Sequence, residues 1–535
     1  MKKWYLGVSV MMALALVALV GAGTALAAPQ VDKDSKKCIA CHEAAGMAPK
    51  MIEQWEKSKH AENGVGCLSC HGAEEGDFDA FAHNGYTVGL YPTPKDCSAC
   101  HAEEVTEHTK SKHAYPFWLY APADRAIFEP IVGTKQGCES CHNISNLWPD
   151  GSVGECDACH PKHSFSVEVA RTPQTCGECH LGPDHPHIEI YNESKHGNIY
   201  AAQGDKWDLS YRSEDHKNVP IEAPVCTTCH MDAVGEVKST HNVSERLAWE
   251  SQAPWSYRTV WFEEELGSWE EKSDRMQTVC ANCHAPTFIG DHFLAFDLVN
   301  LQYNEIRREF LKWTKLYTEK GLIKPLKETF NDGTERNQSA LVINAGWYTA
   351  ASELMYNGWH HEGRRFRHGS AMGGADYVQW HGIWELQHDL QEMIGWGAEH
   401  GVEEAKKIAE SDSPARFFTY KLYDYPGGAY SVATREQQAV ATVQQYIPDY
   451  WEKVKANVEQ AFTQGLLSKA AWERWMERYD NKDHYDCTKY GDHPIYAPYE
   501  KRKARELNLK DPNSPLSRAI KVGLPSPSPA EEKIK

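Results

Sequence analysis

Beyond its first 27 residues, the 535-residue sequence has no apolar stretch long enough to span a lipid bilayer. It is also short of positive charge, because 56 Lys and Arg residues stand against 75 Asp and Glu residues, for a formal net charge of −19. This deficit argues against nucleic acid as a partner, since a polyanion is bound through Lys and Arg. A basic redox partner or a small neutral substrate fits the charge better.

The N-terminus has the features of an export signal. Lys2 and Lys3 form a charged end, residues 8–20 are apolar, and Ala25-Leu26-Ala27 forms a small-residue cleavage site. The apolar run is short for a membrane span. We therefore predict a signal peptide over residues 1–27, no membrane anchor after cleavage, and export to the periplasm or to an equivalent internal lumen.

Few cysteines are left for disulfides, because 16 of the 17 belong to eight copies of one pattern, Cys-x-x-Cys-His. Only Cys487 lies outside it, and we assign it no role. The cysteine pairs are Cys38 and Cys41, Cys67 and Cys70, Cys97 and Cys100, Cys138 and Cys141, Cys156 and Cys159, Cys176 and Cys179, Cys226 and Cys229, and Cys280 and Cys283. The histidines that follow them are His42, His71, His101, His142, His160, His180, His230 and His284.

Each copy is a complete attachment site for haem c. Two thiols three residues apart can bond the two vinyl groups of one porphyrin, while the adjacent histidine binds the iron as proximal ligand. Zinc also uses paired cysteines, but a zinc site needs about four ligands, and the recurring third element here is a single histidine. The sequence therefore predicts eight haem c groups.

Subtracting the eight motif histidines from 27 leaves 19 that could supply a second axial ligand. Three of them end a repeated Ser-Lys-His segment, which indicates distal ligation; the alternative for any spare histidine is a propionate contact or solvent. The candidate distal ligands are His60, His113 and His196 from those segments, and His163, His185, His187, His241 and His292.

All eight motifs lie between Cys38 and His284, and the gap between His142 and Cys156 is only 13 residues. Haems this close can pass electrons from ring to ring. An iron with two histidine ligands has no open position, so catalysis requires at least one five-coordinate iron.

The fold class predicted is mainly α: a multihaem cytochrome c domain of short helices and loops over residues 28–293, then a long-helix C-terminal domain over 294–510. The second part has apolar residues at three and four spacing, which favours amphipathic helices that build a bundle and a subunit contact. A disordered tail is expected over 511–535. The helices are predicted over 304–320, 338–357, 377–411, 434–464 and 470–479.

Eight such motifs followed by a long-helix domain resemble the hydroxylamine oxidoreductase family of octahaem cytochromes, which includes hydrazine dehydrogenase-like members, and more distantly the pentahaem nitrite reductases. The resemblance implies seven bis-histidine haems and a catalytic fourth haem, here held by Cys138, Cys141 and His142. It also implies a homotrimer, in which a tyrosine of one subunit is bonded to the catalytic haem of its neighbour. A lysine in place of His142 would instead have indicated the nitrite-reducing octahaem relatives.

The family places an Asp-His pair and a tyrosine above the open iron. Asp215-His216 resembles that pair in position, with Asp291-His292 as the rival, and Tyr317 is the candidate pocket tyrosine. The cross-linking tyrosine is expected late on a C-terminal helix, where Tyr450 is preferred to Tyr446.

The resemblance implies oxidation of hydroxylamine to nitric oxide or nitrite, with electrons leaving to a soluble acceptor such as a small cytochrome c. Hydrazine oxidation to dinitrogen is an alternative at the same kind of site. Reduction of nitrite or hydroxylamine and a purely electron-carrying role are further alternatives, and the tyrosine cross-link decides between oxidation and reduction.

Overall fold

A computed structural model describes residues 31–114, 134–215, 218–259, 266–324, 326–329, 335–338 and 349–410, with Glu459 and Thr463. The predicted signal peptide, the segment 470–479, the tail and Cys487 lie outside these residues. The chain divides into two compact units, Met1–Pro92 with His160–Ser166, and Thr93–Cys159 with Val167–Lys535.

The first unit contains four short helices and one hairpin. Asp32 caps the first helix by accepting hydrogen bonds from the amides of Asp34 and Ser35. The Ser35 hydroxyl then accepts the amide N–H of Cys67 at 2.8 Å, which ties the first and second haem motifs together. The elements are α1 (Lys33–Ala44), α2 (Pro49–Glu56), α3 (Lys59–Glu62), α4 (Cys67–His71), β1 (Ala80–His83) and β2 (Tyr86–Gly89).

A two-residue turn joins β1 to β2. Asn84 and Gly85 both have positive φ, at 50° and 87°, which is the conformation that an Asn-Gly hairpin turn requires. His83 and Tyr86 are consequently direct partners across the hairpin, and the turn determines where the His83 side chain emerges.

The first part of the second unit consists of short elements punctuated by turns, as the sequence predicts. Its helices are α5 (Pro94–Cys97), α6 (Ala102–Thr109), α7 (Glu139–His142), α8 (Val167–Arg171), α9 (Pro173–Gly177), α10 (His187–Glu193), α11 (Lys195–Gln203) and α12 (Cys226–His230). Strands β3 (Trp249–Glu250) and β4 (Tyr257–Arg258) form a minimal antiparallel pair.

The remaining elements are longer. Helix α13 (Trp269–Cys280) starts with a capping box, in which the side chains of Ser268 and Glu271 each accept a hydrogen bond from the other residue's backbone amide. The elements that follow are α14 (Pro286–Glu319), β5 (Leu326–Thr329), β6 (Glu335–Gln338), α15 (Ala350–His360), α16 (Glu362–Met372), α17 (Ala375–Val378), α18 (Glu385–Glu399) and α19 (Glu403–Ala409).

The main apolar core of the second unit lies between α14, α15, α16 and α18. Phe310, Met355, Leu386 and Met393 are fully buried within it, so each helix contributes one apolar stripe. A Cβ atom at Gly397 would overlap the Tyr317 ring, and this close approach of α14 and α18 therefore requires glycine.

The buried Arg258 connects helix α13 to helix α14. Arg258 is 2% exposed, lies 3.7 Å from the Trp269 ring centroid and pairs with Asp297 on α14 at 2.5 Å. The ion pair with Asp297 and the face of the Trp269 ring offset the free-energy cost of removing the Arg258 charge from water.

The mainly α fold class is confirmed. Residues 304–319 lie within α14, and much of 377–409 is helical, including a π-helical segment at Gln379–Trp384. Of the predicted helix over 338–357, residues 350–357 lie in α15, Gln338 ends β6 instead, and residues 339–348 lie outside the described residues. In the part of the chain that the structure describes, no helix combines the length and the apolarity needed to cross a membrane.

The side chain of Asp389 on α18 makes stability depend on pH. Burial raises its pKa to about 8, and the charges of Glu362, Glu385 and Glu392 act in the same direction while Arg365 opposes them. The folded chain therefore holds this proton more tightly than the unfolded chain does, so stability falls as pH rises from about 4 to about 8.

We expect Asp389→Asn to stabilise the haem-loaded protein by about 1–3 kcal/mol at pH 8 and far less at pH 5, since a pKa unit corresponds to about 1.4 kcal/mol. Thermal unfolding at both pH values measures this. Glu403→Gln, at an exposed carboxylate, is the control and should change little at either pH. An equal effect of Asp389→Asn at pH 5 and pH 8 would contradict the assignment.

Candidate haem centres and active site

Most of the haem motifs form an α-helical turn, whereas the fourth begins in a π-helical segment and the fifth forms a 3₁₀ turn at Cys156–Ala158. In the third, sixth and eighth motifs the histidine amide donates to the carbonyl of the first cysteine, at 2.8, 2.9 and 2.9 Å. Residues i, i+3 and i+4 share one face of a helical turn, so both thiols and the imidazole point to the same side. This is the geometry that attachment of one haem demands.

Cysteines of different motifs lie next to each other. The thiol of Cys141 is 3.6 Å from the carbonyl of Glu178, beside Cys179, so the fourth and sixth motifs pack together. Further neighbours, identified by their electrostatic interaction, are Cys38 and Cys67, Cys97 and Cys156, Cys159 and Cys176, Cys176 and Cys226, and Cys229 and Cys280.

The described cysteines do not resemble a zinc site. All 16 motif cysteines are free of disulfides, and burial raises the pKa of Cys159 and of Cys229 to about 12, whereas zinc binds thiolate. Among the described residues no group of three or more His, Cys, Asp and Glu side chains could hold a metal ion on its own. The donors suit a porphyrin-bound iron instead.

Among the described residues, five pairs of histidines are spaced as axial ligands of one iron, and His180 belongs to two of them. A metal–imidazole bond is about 2 Å long, so the ring centroids of two opposed ligands are about 6 Å apart. In each pair one ring belongs to a motif and the other does not. The pairs and their centroid distances are His42 and His83 (6.2 Å), His71 and His163 (6.2 Å), His180 and His113 (6.0 Å), His180 and His185 (5.9 Å), and His284 and His196 (6.0 Å).

The pKa values of several buried histidines also fit ligation, because iron binds the neutral ring. Burial lowers the pKa of His113 to about 3 and of His180 and His230 to about 4. The Nδ1 atom of His71 is 3.1 Å from the Gly89 carbonyl, which leaves Nε2 for the iron.

The three Ser-Lys-His segments share one local structure. Each serine is buried, and its side-chain oxygen accepts an amide N–H from the turn that follows, at 3.1 Å from Ala61, 3.2 Å from His113 and 3.1 Å from Gly197. Each hydroxyl also donates to the carbonyl three residues earlier: Ser58 to Trp55 (2.6 Å), Ser111 to His108 (2.7 Å) and Ser194 to Tyr191 (2.7 Å). The serine thus orients the turn that carries the histidine.

The other predicted distal ligands have varied surroundings. His60 contacts the Phe165 ring at 5.0 Å, and His241 lies near His101 of the third motif. His187 is 3.1 Å from His180, measured between their Nδ1 atoms. The Nε2 atom of His292 is 3.1 Å from the Ala371 carbonyl, which makes that nitrogen a poor candidate for iron.

An Asp-His pair lies beside the sixth motif, which packs on the fourth. The His185 ring centroid is 5.9 Å from that of His180, and the Cys179 thiol is 3.9 Å from the Cys141 carbonyl. His142 interacts electrostatically with His185 and Asp184, and burial lowers the pKa of His142 to about 4. His185 Nδ1 is 2.8 Å from Asp184 Oδ2, and His185 Nε2 is 2.7 Å from the Cys179 carbonyl. Both ring nitrogens face oxygen, a geometry that suits proton transfer, and His185 as a distal ligand stays a prediction.

The predicted catalytic pair Asp215-His216 is only partly described, and its rival is Asp291-His292. Asp215 is largely exposed, with its carboxylate 3.8 Å from Arg212, while His216 lies outside the described residues. Asp291 is exposed, and His292 lies beside His284 of the eighth motif. These two pairs are therefore not brought to the fourth motif by any contact in the described part of the chain.

Both tyrosine predictions remain without support. Tyr317 is fully buried in the helical core, where its hydroxyl donates to the Met393 carbonyl at 2.8 Å and its ring contacts Trp396. Burial raises its pKa. Tyr446 and Tyr450 lie outside the described residues, so the cross-link stays a prediction.

Sequence reasoning missed two histidines and the role of a third. His83 follows no Ser-Lys-His segment, and His368, which is 3% exposed and whose ring lies 4.4 Å from His187, is far along the chain from any motif. His185 was considered only as a ligand, although the Asp184 before it was the signal for an acid–base pair.

We expect His83→Gln to open one iron. A haem that loses its distal histidine becomes five-coordinate and binds carbon monoxide when reduced, so titration of the reduced protein should show one more carbon monoxide per chain than the parent. His381→Gln, at a half-exposed histidine of the π-helical segment, is the control. An unchanged carbon monoxide stoichiometry in His83→Gln would refute His83 as a ligand.

The comparisons with known proteins agree with this donor set. A family model described as "Seven times multi-haem cytochrome CxxCH" matches residues 62–329, and one described as "Cytochrome c554 and c-prime" matches residues 22–72. A protein of Kuenenia stuttgartiensis named as a probable nitrite reductase-hydroxylamine oxidoreductase fusion protein is 25% identical over 353 residues. That match covers 54% of this chain but only 38% of the relative's length.

Two solved structures share the fold. One, titled a hypothetical multiheme protein, has a TM-score of 0.60 at 21% identity, covering 70% of this chain and 98% of that one. The other, a reducing HAO-like protein complex of Kuenenia stuttgartiensis, has a TM-score of 0.52 at 19% identity, covering 70% and 86%. The chain therefore belongs to the multihaem cytochrome c family, among relatives that are hydroxylamine oxidoreductase-like, and its cofactor is haem c.

Proposed function

We propose that this multihaem redox protein oxidises hydroxylamine to nitric oxide or nitrite at the haem attached to the fourth motif. The observation that carries the proposal is the Asp184–His185 pair beside Cys179, whose thiol packs on Cys141 of the fourth motif. The fusion relative's name mentions hydroxylamine oxidoreductase, and that relative is distant and much longer than this chain.

The chemistry requires a proton acceptor. Oxidation of hydroxylamine to nitric oxide releases three protons and three electrons; oxidation to nitrite consumes one water and releases five protons and four electrons. When bound, the haem supplies a site for the substrate nitrogen and takes up electrons. The protons have to leave through protein groups near that site.

His185 and Asp184 suit this task. Asp184 is held ionised: burial alone would raise its pKa, but the hydrogen bond and charge of His185 and the charge of Arg364 lower it well below its usual range. The carboxylate orients Nδ1, and the Cys179 carbonyl faces Nε2. A neutral ring donates to only one of these oxygens, and a ring that has taken up a substrate proton can donate to both, so the pair can accept a proton and pass it on.

The other motifs would export the electrons. The neighbouring cysteines link the fourth motif to the sixth, and the sixth to the fifth and seventh. We propose eight haems, seven with two histidine ligands, and a small cytochrome c as the soluble acceptor. We also propose an exported homotrimer with a cross-link from Tyr450 or Tyr446; these points stay predictions.

Reduction is the second candidate. One of the two structural neighbours is titled a reducing HAO-like protein complex, and the fusion relative is named in part as a nitrite reductase. A proton-carrying pair serves reduction equally well, because protons are then consumed. Hydrazine, which is close to hydroxylamine in size and shape, stays an alternative substrate of the oxidative reaction.

We expect Asp184→Asn to lower kcat for hydroxylamine oxidation about 100-fold with unchanged haem content, because His185 then loses its charged partner. Asp215→Asn is the matched control and should stay within about twofold of the parent. Steady-state kinetics with an artificial electron acceptor measure both. The reverse pattern would return the acid–base role to Asp215 and His216.

We expect the dithionite-reduced protein to show a red-shifted Soret band beside the ordinary c-type bands. Denaturing electrophoresis with haem staining should show a trimer that resists denaturation. Ordinary bands and a monomer alone would remove the cross-link. Together with nitrite reduction by a viologen donor, that result would favour the reductase.

A further inference from the structure

Arg364 lies next to the proposed acid–base pair. It comes from helix α16, more than 170 residues after Asp184 in the chain, and its Nη1 atom is 3.5 Å from Asp184 Oδ2. Its Nε donates to the Gln252 carbonyl at 2.7 Å, and its guanidinium carbon is 5.0 Å from the Trp359 ring centroid. The side chain is 14% exposed. The guanidinium is therefore held in place against the Asp184 carboxylate.

The charges around Asp184 make Arg364 important. His360, on the preceding helix turn, is kept neutral because burial lowers its pKa and the charge of Arg364 adds to this effect. Arg365 also reaches this loop, donating to the Pro183 carbonyl at 2.9 Å, but its charge is matched by Glu362 at 3.6 Å and Glu385 at 3.4 Å.

Arg364 thus decides the net charge of this group. With Arg364 present, the charges of Asp184 and Arg364 cancel. Without Arg364, the Asp184 carboxylate leaves the group with a net negative charge. A neutral ligand such as hydroxylamine is indifferent to this change, whereas an anion is repelled by the uncompensated carboxylate.

We propose that Arg364 is a specificity-determining residue that allows the site at the fourth motif to hold the nitrite anion as well as neutral nitrogen compounds. The inference rests on the proposed function, because it assumes that ligands bind at that motif. It adds that nitrite is a ligand of the site, as retained product in oxidation or as substrate in reduction.

The test is ligand binding to the oxidised, haem-loaded protein, followed by the Soret band. Nitrite and nitric oxide are titrated separately, the first as an anionic probe and the second as a neutral one. We expect Arg364→Gln to weaken nitrite binding about tenfold or more and nitric oxide binding by less than about twofold. Arg364→Lys keeps the charge and should retain nitrite binding within about threefold.

Arg365→Gln is the matched control, since it removes the same charge one residue along the same helix. Any damage to the Pro183–Asp184 loop would weaken both probes together. We therefore expect the ratio of nitrite to nitric oxide affinity to stay at the parent value in Arg365→Gln and to fall only in Arg364→Gln. A matching rise in the nitrite inhibition constant, with KM for hydroxylamine unchanged, would be the kinetic counterpart.

The possible failures can be told apart. Equal loss of both probes in Arg364→Gln, or no loss of nitrite binding, overturns the role of Arg364 and leaves the proposed function standing. Absence of any ligand-induced Soret change in the parent protein overturns both proposals. If the parent binds both probes but does not oxidise hydroxylamine, the proposed function fails, and the affinity ratio still decides the role of Arg364.

Discussion

The single helical turn of each Cys-x-x-Cys-His motif is the constraint on which the rest of this structure depends. Because residues i, i+3 and i+4 lie on one face, each turn presents two thiols and an imidazole to the same side. Each haem that is proposed to have two histidine ligands then requires one further histidine about 6 Å away, ring to ring. Strand β1, which ends at His83, and the serine-capped turns before His113 and His196 are different local solutions to that requirement.

The proposed active site combines a loop and a distant helix. Asp184 and His185 directly follow the sixth motif, and their position beside His142 comes from the packing of the fourth motif against the sixth. Arg364 and Arg365 of α16 then hold the same loop from the other side. The long-helix region is consequently part of the site, and its apolar core, with Tyr317 packed against Gly397, stabilises the helix on which Arg364 stands.

Burial has opposite consequences for different charged groups in this chain. Histidines near the motifs lose their charge and become suitable ligands, whereas Arg258 keeps its charge through Asp297 and two tryptophan rings. For Asp389, burial and the like charges of Glu362, Glu385 and Glu392 outweigh the opposing charge of Arg365 and raise its pKa to about 8. Groups with a matched counter-charge stabilise the fold near neutral pH, and a buried carboxylate among like charges does not.

The sequence by itself determined the haem c chemistry, the mainly α class and the importance of Ser-Lys-His, because each depends on spacing within one or two helical turns. Only the tertiary structure decided that His83 faces His42, that Asp184 rather than Asp215 lies beside the fourth motif, and that Arg364 joins them. Two Asp-His dipeptides look alike in a sequence, and what separates them is which one the packing of distant segments buries next to the motif.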